Sequence, residues 1–321
     1  MKAIEKRSKR SASRTALFLV TAVALVGTAL LVGSSKVEAN HPVLVEGNCD
    51  SPVPGTTLVT VAGTCGDYDG DGRIGTAEDT DGADRIFGTL NAALGPGTGA
   101  AAGTGANFNG KIIIVSSGRF AERLYIGQAG LIQGETGGTA NPSNVEIEAA
   151  PGVEADIDAI LQGDPAGGNV TRTGQIGIFV VYPAGVTGLV SLRNLQIRNW
   201  SEGIAAALSS RVHIDNCRIE NNLNYGIHAI DSSQISITNT QVTATGRRTG
   251  VGASTTTAGD GLRVQDTAKA RVSDSTFSHN TGNGIINSGT GSVNLFKVGA
   301  FFNGVDTAGA ITIATNPNFS N

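Results

Sequence analysis

Between residues 190 and 303 the chain repeats itself with a step of 23 residues. Gly-Ile or Gly-Leu pairs fall at Gly203-Ile204, Gly226-Ile227, Gly261-Leu262 and Gly284-Ile285, at spacings of 23, 35 and 23. The wide spacing is one period plus an insert, the Gly/Thr/Ala-rich stretch from Gly246-Arg247-Arg248 to Gly259, which reads as a protruding loop. A second series keeps the same step. Asn194, Asn216, Asn239 and Asp274 each stand three positions before an apolar residue, namely Ile197, Ile219, Val242 and Phe277. A unit this short cannot enclose a core of its own, so it must stack on its neighbours.

Within each unit the apolar residues alternate, as at Val212/Ile214, Ile235/Ile237 and Ala270/Val272. Alternation with period two marks a strand with one buried face. Three short strands per unit, joined by turns, make one coil of a solenoid, with successive coils about 4.8 Å apart. Asn at the same bend of successive coils predicts a ladder of side-chain amides. Composition narrows the alternatives. With 45 Gly in 321 residues, and each Gly in a helix interior costing about 1 kcal/mol, a mostly helical protein is disfavoured. Pro is only 9 and Gly has no three-residue period, which excludes collagen. A hydrophobic fraction of 40% excludes a disordered polar tract.

The segments Val212-His213-Ile214-Asp215-Asn216-Cys217-Arg218-Ile219-Glu220-Asn221-Asn222 and Tyr225-Gly226-Ile227-His228 resemble the repeat of the right-handed parallel β-helix proteins of pectate-lyase-like fold. The resemblance implies an all-β solenoid whose open N-terminal end carries a capping helix. Asp84 to Leu94 fits such a helix, with Ile86, Phe87, Leu90, Ala93 and Leu94 on one face. Lys111–Val115, Ser117–Phe120 and Leu124–Ile126 resemble a first coil, and the Gly/Ala/Thr stretch 95–110 reads as a linker. At the other end Phe296, Phe301 and Phe302 are candidates to plug the last coil.

The first 39 residues read as an export signal. Lys2, Lys6, Arg7, Lys9, Arg10 and Arg14 precede an apolar run from Ala16 to Val32, and Val37-Glu38-Ala39 supplies a cleavage site before Asn40. An uncleaved anchor is the competing reading, but the run of 17 residues falls short of the roughly 20 a spanning helix needs. The leader takes seven basic and two acidic residues with it, leaving 16 basic and 25 acidic, a net charge of −9. That balance is unsuited to nucleic acid. In an oxidising compartment Cys49 and Cys65, 16 apart, are expected to pair. Three pairings are possible among three Cys, and a loop of this size contributes roughly 3 kcal/mol in the chain-entropy model. Cys217 reads as a buried free thiol.

Residues Asp67-Tyr68-Asp69-Gly70-Asp71-Gly72-Arg73-Ile74-Gly75-Thr76-Ala77-Glu78 match the calcium-loop pattern. Asp67, Asp69 and Asp71 supply carboxylate oxygens, Gly72 the sharp turn, Arg73 a backbone carbonyl and Glu78 a closing carboxylate; a water fills the position of Gly75. The upstream Thr57–Val61 alternates like a strand, so no entering helix is expected. The loop resembles the single-helix calcium loops of secreted bacterial proteins such as dockerin-like modules, without a second copy. It is expected to be structural rather than a sensor.

The resemblance admits lyases, hydrolases and epimerases as well as binding proteins, so the site must decide. Alternation puts three columns outward: Ala205, His228, Arg263, Ile286; Ser191, His213, Ser236, Arg271; and Gln196, Arg218, Gln241, Thr276. His228, Arg263 and Arg218 are the candidate ligand face. No column gathers Asp with Arg and Lys, and Asp260 and Asp266 read as isolated. The four His are too scattered for zinc. The expected organisation is a signal peptide over 1–39, a disulfide and calcium segment over 40–82, a capping helix and linker over 83–110, and the parallel β-helix over 111–321. The expected function is a secreted or cell-surface, Ca²⁺-stabilised, monomeric β-helix binding polysaccharide or a surface glycan. It would bind no nucleic acid and, with the leader removed, span no membrane. The alternative is a polysaccharide lyase or glycoside hydrolase acting on uronate-containing polymers.

Overall fold

The computed structural model describes residues 43–45, 86–87, 90–94, 110–120, 122–127, 144–159, 176–186, 188–246 and 259–314. The leader, Cys49 and Cys65, the calcium loop 67–78, the linker 95–109 and the insert residues 247–258 lie outside them.

Three parallel sheets account for nearly all of the described chain, with ten, seven and seven strands. One coil contributes one strand to each. Arg211–Asp215, Arg218–Glu220 and Tyr225–Ala229 form a coil, and Gln234–Thr238, Gln241–Thr243 and Asp260–Val264 form the next. The register stacks equivalent residues. Val212 pairs with Ile235 and Ile235 with Ala270 in the first sheet, Ile219 with Val242 and Val242 with Phe277 in the second, and Ile227 with Leu262 and Leu262 with Ile285 in the third. All these side chains are 3% exposed or less. Each large one contributes about 1.5–3 kcal/mol by leaving water. The stack is a parallel β-helix, as the 23-residue period predicts.

The coil turns its corners through left-handed backbone. Asn194, Asn216, Asn239, Asp274 and Lys297 have φ between 48° and 58° at the first corner. Asn199, Asn221, Ala244, His279 and Phe302 repeat this at the second, and Leu208, Asp231 and Asp266 at the third. Asn and Asp tolerate this region best among non-Gly residues. The expected amide ladder forms for one step, Asn216 Nδ2 donating to Asn194 Oδ1 at 2.9 Å. Asn239 instead donates to Asp215 Oδ1 at 3.1 Å, because that carboxylate on the preceding strand is nearer to hand.

A second, inward amide series closes three of the coils just after the second corner. Asn222 Oδ1 accepts from Trp200 N at 3.1 Å, Asn280 Oδ1 from Thr245 N at 3.0 Å and Asn303 Oδ1 from Asn280 N at 3.0 Å. Trp200 takes the equivalent place one coil earlier. Its indole N–H donates to Ile157 O at 2.9 Å, as Asn303 Nδ2 donates to Phe277 O at 3.0 Å. The repeated Gly residues lie inside the third-sheet strands, not in the turns. A Cβ on Gly203, Gly226 or Gly261 would stand 2.6–2.7 Å from the carbonyl oxygen of the next coil's glycine.

The insert leaves and returns through a pinch. A Cβ built on Gly246 would lie 2.9 Å from Gly259 Cα, and both glycines have positive φ, so the extra residues do not spread the coil.

Two expectations about the ends are corrected. Ile86 and Phe87 are a strand, pairing with Leu44 and Val45 at the edge of the first sheet; among the described residues of this segment helix forms only over Leu90–Leu94. An open parallel edge outcompetes the helical periodicity for these two β-formers. The short helix buries Leu90, Ala93 and Leu94, and Glu122 caps it by accepting from Leu90 N at 3.0 Å and Asn91 N at 2.7 Å. Burial holds the Glu122 carboxyl above its ordinary range although both backbone bonds favour the ionised form. At the other end Phe296 is buried, but Phe301 and Phe302 are 41% and 73% exposed. Phe302 sits at a left-handed corner, which turns its ring outward against His279 and Phe301. These rings do not plug the coil.

Candidate functional site

The register brings His228 beside Arg263, one coil apart in the third sheet. Arg218 stands in the second sheet, in the column Gln196, Arg218, Gln241 and Thr276. The three residues therefore do not share a face. Nor is His228 open to solvent: it is 6% exposed, and Ala205 in the same column is fully covered. The imidazole bridges coils, with Nδ1 3.0 Å from Glu202 Oε2 and Nε2 2.7 Å from Gln265 Oε1. The expectation that Asp260 is isolated is corrected. Asp260 is buried, accepts from Arg263 Nη1 at 3.1 Å, and accepts from Asn283 N and Nδ2 at 2.8 Å each. Tyr225 lies over His228 at a centroid distance of 4.4 Å, and burial raises its phenol above the usual range. Asp266 accepts from Asp231 N at 3.3 Å.

The second sheet carries an ionic cluster that the sequence reading missed. Asp156 and Asp158 flank the inward Ile157 and so share the outer face. Arg198 bridges them, its Nη2 on Asp156 and its Nε 3.2 Å from Asp158 Oδ2. Arg119 Nε stands 3.7 Å and 4.0 Å from the same two carboxylates. Asn199 Nδ2 donates to Asp158 Oδ1 at 2.7 Å. Asp156 is 7% exposed, and its Oδ1 has no hydrogen-bond partner among the described residues. Burial raises the Asp156 carboxyl above its ordinary range, against the attraction of Arg198. The signal was available in the alternation Asp156-Ile157-Asp158, but it lies outside the clear repeats. The sequence expectation concerned a column of Asp with Arg and Lys, and it did not foresee this pairing of Asp with Arg alone.

Next to this cluster a cleft of about 760 Å³ runs along the solenoid. Its floor is the amides of Asn194, Asn216 and Asn239 beside Gln196, Arg218 and Gln241, and the turn Ala150–Glu154 forms one wall. The wall exists because this corner takes several residues where the later coils use a single left-handed Asn. Gln196 Nε2 donates to Glu220 Oε1 at 2.6 Å, and Arg218 Nη2 pairs with Glu220 Oε2 at 2.7 Å. The guanidinium remains 57% exposed.

Cys217 also borders the cleft, yet it is 3% exposed. Its Sγ lies 3.3 Å from Asp215 O and 3.5 Å from Leu192 O. Desolvation pushes its thiol up to about 12, and the thiolate is the reactive form. The folded chain should therefore leave Cys217 unmodified by iodoacetamide at about pH 8 and modify it once unfolded; peptide mass spectrometry reads the difference. Rapid modification in the folded state would contradict its burial.

Residues 161–298 match the family model described as "Right handed beta helix region". The chain carries a right-handed β-helix region, and the described strands give that class its parallel register. Among solved structures it is similar to "Crystal structure of pectate lyase Pel9A", with 14% identity, a TM-score of 0.34, and 76% of this chain and 75% of that chain covered. No curated protein matches the chain in sequence.

Proposed function

We propose that this protein is an exported β-helix that binds carbohydrate in the cleft beside its second sheet. One observation carries the reading: the cleft floor repeats side-chain amides coil after coil, with Arg218 among them. Each amide both donates and accepts, which suits the vicinal hydroxyls of a sugar, and coils about 4.8 Å apart present the same groups periodically to a polymer. Among the described residues no helix is long and apolar enough to cross a membrane. Export rests on the leader, and stabilisation by Ca²⁺ on Asp67, Asp69, Asp71, Arg73 and Glu78. The donor set fits that ion, since hard Ca²⁺ takes carboxylate and carbonyl oxygens; these residues would hold it as a structural brace.

The test is a panel of neutral and uronate oligosaccharides titrated against residues 40–321. Binding to at least one is expected, with Gln196→Ala and Arg218→Ala each weakening it about tenfold, the loss of one good hydrogen bond. Wild-type affinity in both variants would sink the cleft as the site. The second reading, a lyase or hydrolase on uronate-containing polymers, is favoured by the buried Asp156 beside Arg119 and Arg198. Ultraviolet absorbance on uronate polymers, with and without calcium, reads lyase activity, and reducing-end release reads hydrolysis. For the metal, Asp69→Ala with Glu78→Ala should abolish Ca²⁺ binding in calorimetry and remove the rise in melting temperature on adding calcium. An unchanged calcium isotherm would remove the loop from the account.

A further inference from the structure

The third-sheet cluster poses a proton-counting problem. Arg263 Nε lies 2.9 Å from Gln265 Oε1. A guanidinium only donates, so the atom facing it is the Gln265 oxygen and not its NH₂. The same oxygen lies 2.7 Å from His228 Nε2, so Nε2 carries a hydrogen. The other ring nitrogen, Nδ1, lies 3.0 Å from Glu202 Oε2. An ionised carboxylate only accepts, so this contact needs a second proton, held on Nδ1 or on Glu202. A neutral His228 beside an ionised Glu202 cannot satisfy both ends. Turning the Gln265 amide over does not help, because its NH₂ would then confront the Arg263 N–H.

We propose that Glu202, His228, Gln265 and Arg263 form a proton-dependent clasp across three successive coils, closed by one proton held between Glu202 and His228 and opened when that proton leaves. The titratable and charged groups facing the imidazole are Glu202 on the preceding strand, Tyr225 on its own strand, and Asp260 and Arg263 on the following strand. Asp260 is held by Arg263 and Asn283. That leaves Glu202 as the carboxylate that shares the proton with the ring. Arg263 and Gln265 stand on the coil that follows the Gly246–Gly259 pinch, so opening the clasp frees that coil from the two before it on the third-sheet face. The unfolded chain has no need of the proton. Losing the proton breaks a contact that ties successive coils, so the open clasp contributes less to stability than the closed one.

Two-bond ¹H–¹⁵N spectra of the histidine rings test this directly, with His228 assigned by its loss in His228→Asn. Between about pH 5.5 and about pH 8.5, Nε2 is expected to stay protonated while Nδ1 shifts as the second proton leaves. The Tyr225 ring signals should move in step. An Nε2 without hydrogen, or a ring pattern that does not change over that range, would overturn the proposal. Glu202→Gln gives an independent arm, since its NH₂ can donate to Nδ1 of a neutral ring. The decline in melting temperature that the wild type shows over the same pH range should shrink in this variant. An equal decline in both chains would overturn the clasp.

Discussion

Arg198→Met is expected to destabilise the fold by about 3–5 kcal/mol at neutral pH, the usual cost of stripping one partner from a buried ion pair. The size follows from what it leaves behind. Arg198 bridges Asp156 and Asp158, which are 7% and 0% exposed. Arg119, 49% exposed, reaches the pair only at 3.7 Å and 4.0 Å. Two adjacent buried carboxylates would then lack their main counter-charge. Burial already raises the Asp156 carboxyl, and losing Arg198 raises it further. The folded variant then binds protons that the unfolded chain releases, so its stability falls as pH rises. The defect should accordingly be largest at neutral and alkaline pH and should shrink on acidification. Arg198→Lys keeps a charge but not the two-pronged contact, and should fall between. Urea midpoints at several pH values measure all three chains. A variant as stable as the wild type at pH above neutral would show that the cluster is not held as the structure places it.

Gly226→Val is the second large effect. The third-sheet backbones approach so closely at this column that a Cβ on Gly226 would lie 2.4 Å from Val242 Cγ1 and 2.7 Å from Gly261 O. The carbonyl belongs to the ladder of the next coil and cannot give way without parting the stack. Overpacking of this kind costs typically 1–3 kcal/mol and sometimes more, and the valine methyls place it at the upper end. Gly185→Ala is the control. Gly185 has φ of +85° and nothing within 4 Å of a Cβ, so that change carries only backbone strain of about 1–2 kcal/mol. Thermal melts should rank Gly226→Val well below Gly185→Ala; the reverse order would mean that the glycine column serves the turns rather than the stack.

The solenoid was legible because its signals repeat. Inward Ile219, Val242 and Phe277, and the Gly-Ile pairs, recur at steps that one insert explains. The earlier coils hid because their sequence spacing is stretched. Leu124 stacks on Ile178, 54 residues away, and Ile157 on Ile197, 40 away. The Asp156–Arg198 cluster lies across that stretch, so residues forming one patch looked unrelated. Corners were readable where Asn or Asp announced them and silent where Leu208, Ala244 or Phe302 takes the same left-handed conformation. Trp200 was hidden for a different reason: an indole N–H does the bonding of the Asn at that position. Outward direction was legible for His228, but its burial was not, because Glu202, Gln265 and Tyr225 cover it from neighbouring coils.

The most direct measurement of the central claim follows the side-chain amide resonances of the folded chain while an oligosaccharide identified from the panel is added. The account predicts that the NH₂ signals of Asn194, Gln196, Asn216, Asn239 and Gln241 shift together with one affinity, while that of Asn283 on the third sheet stays put. Shifts confined to other amides, with these five unmoved at saturation, would contradict it.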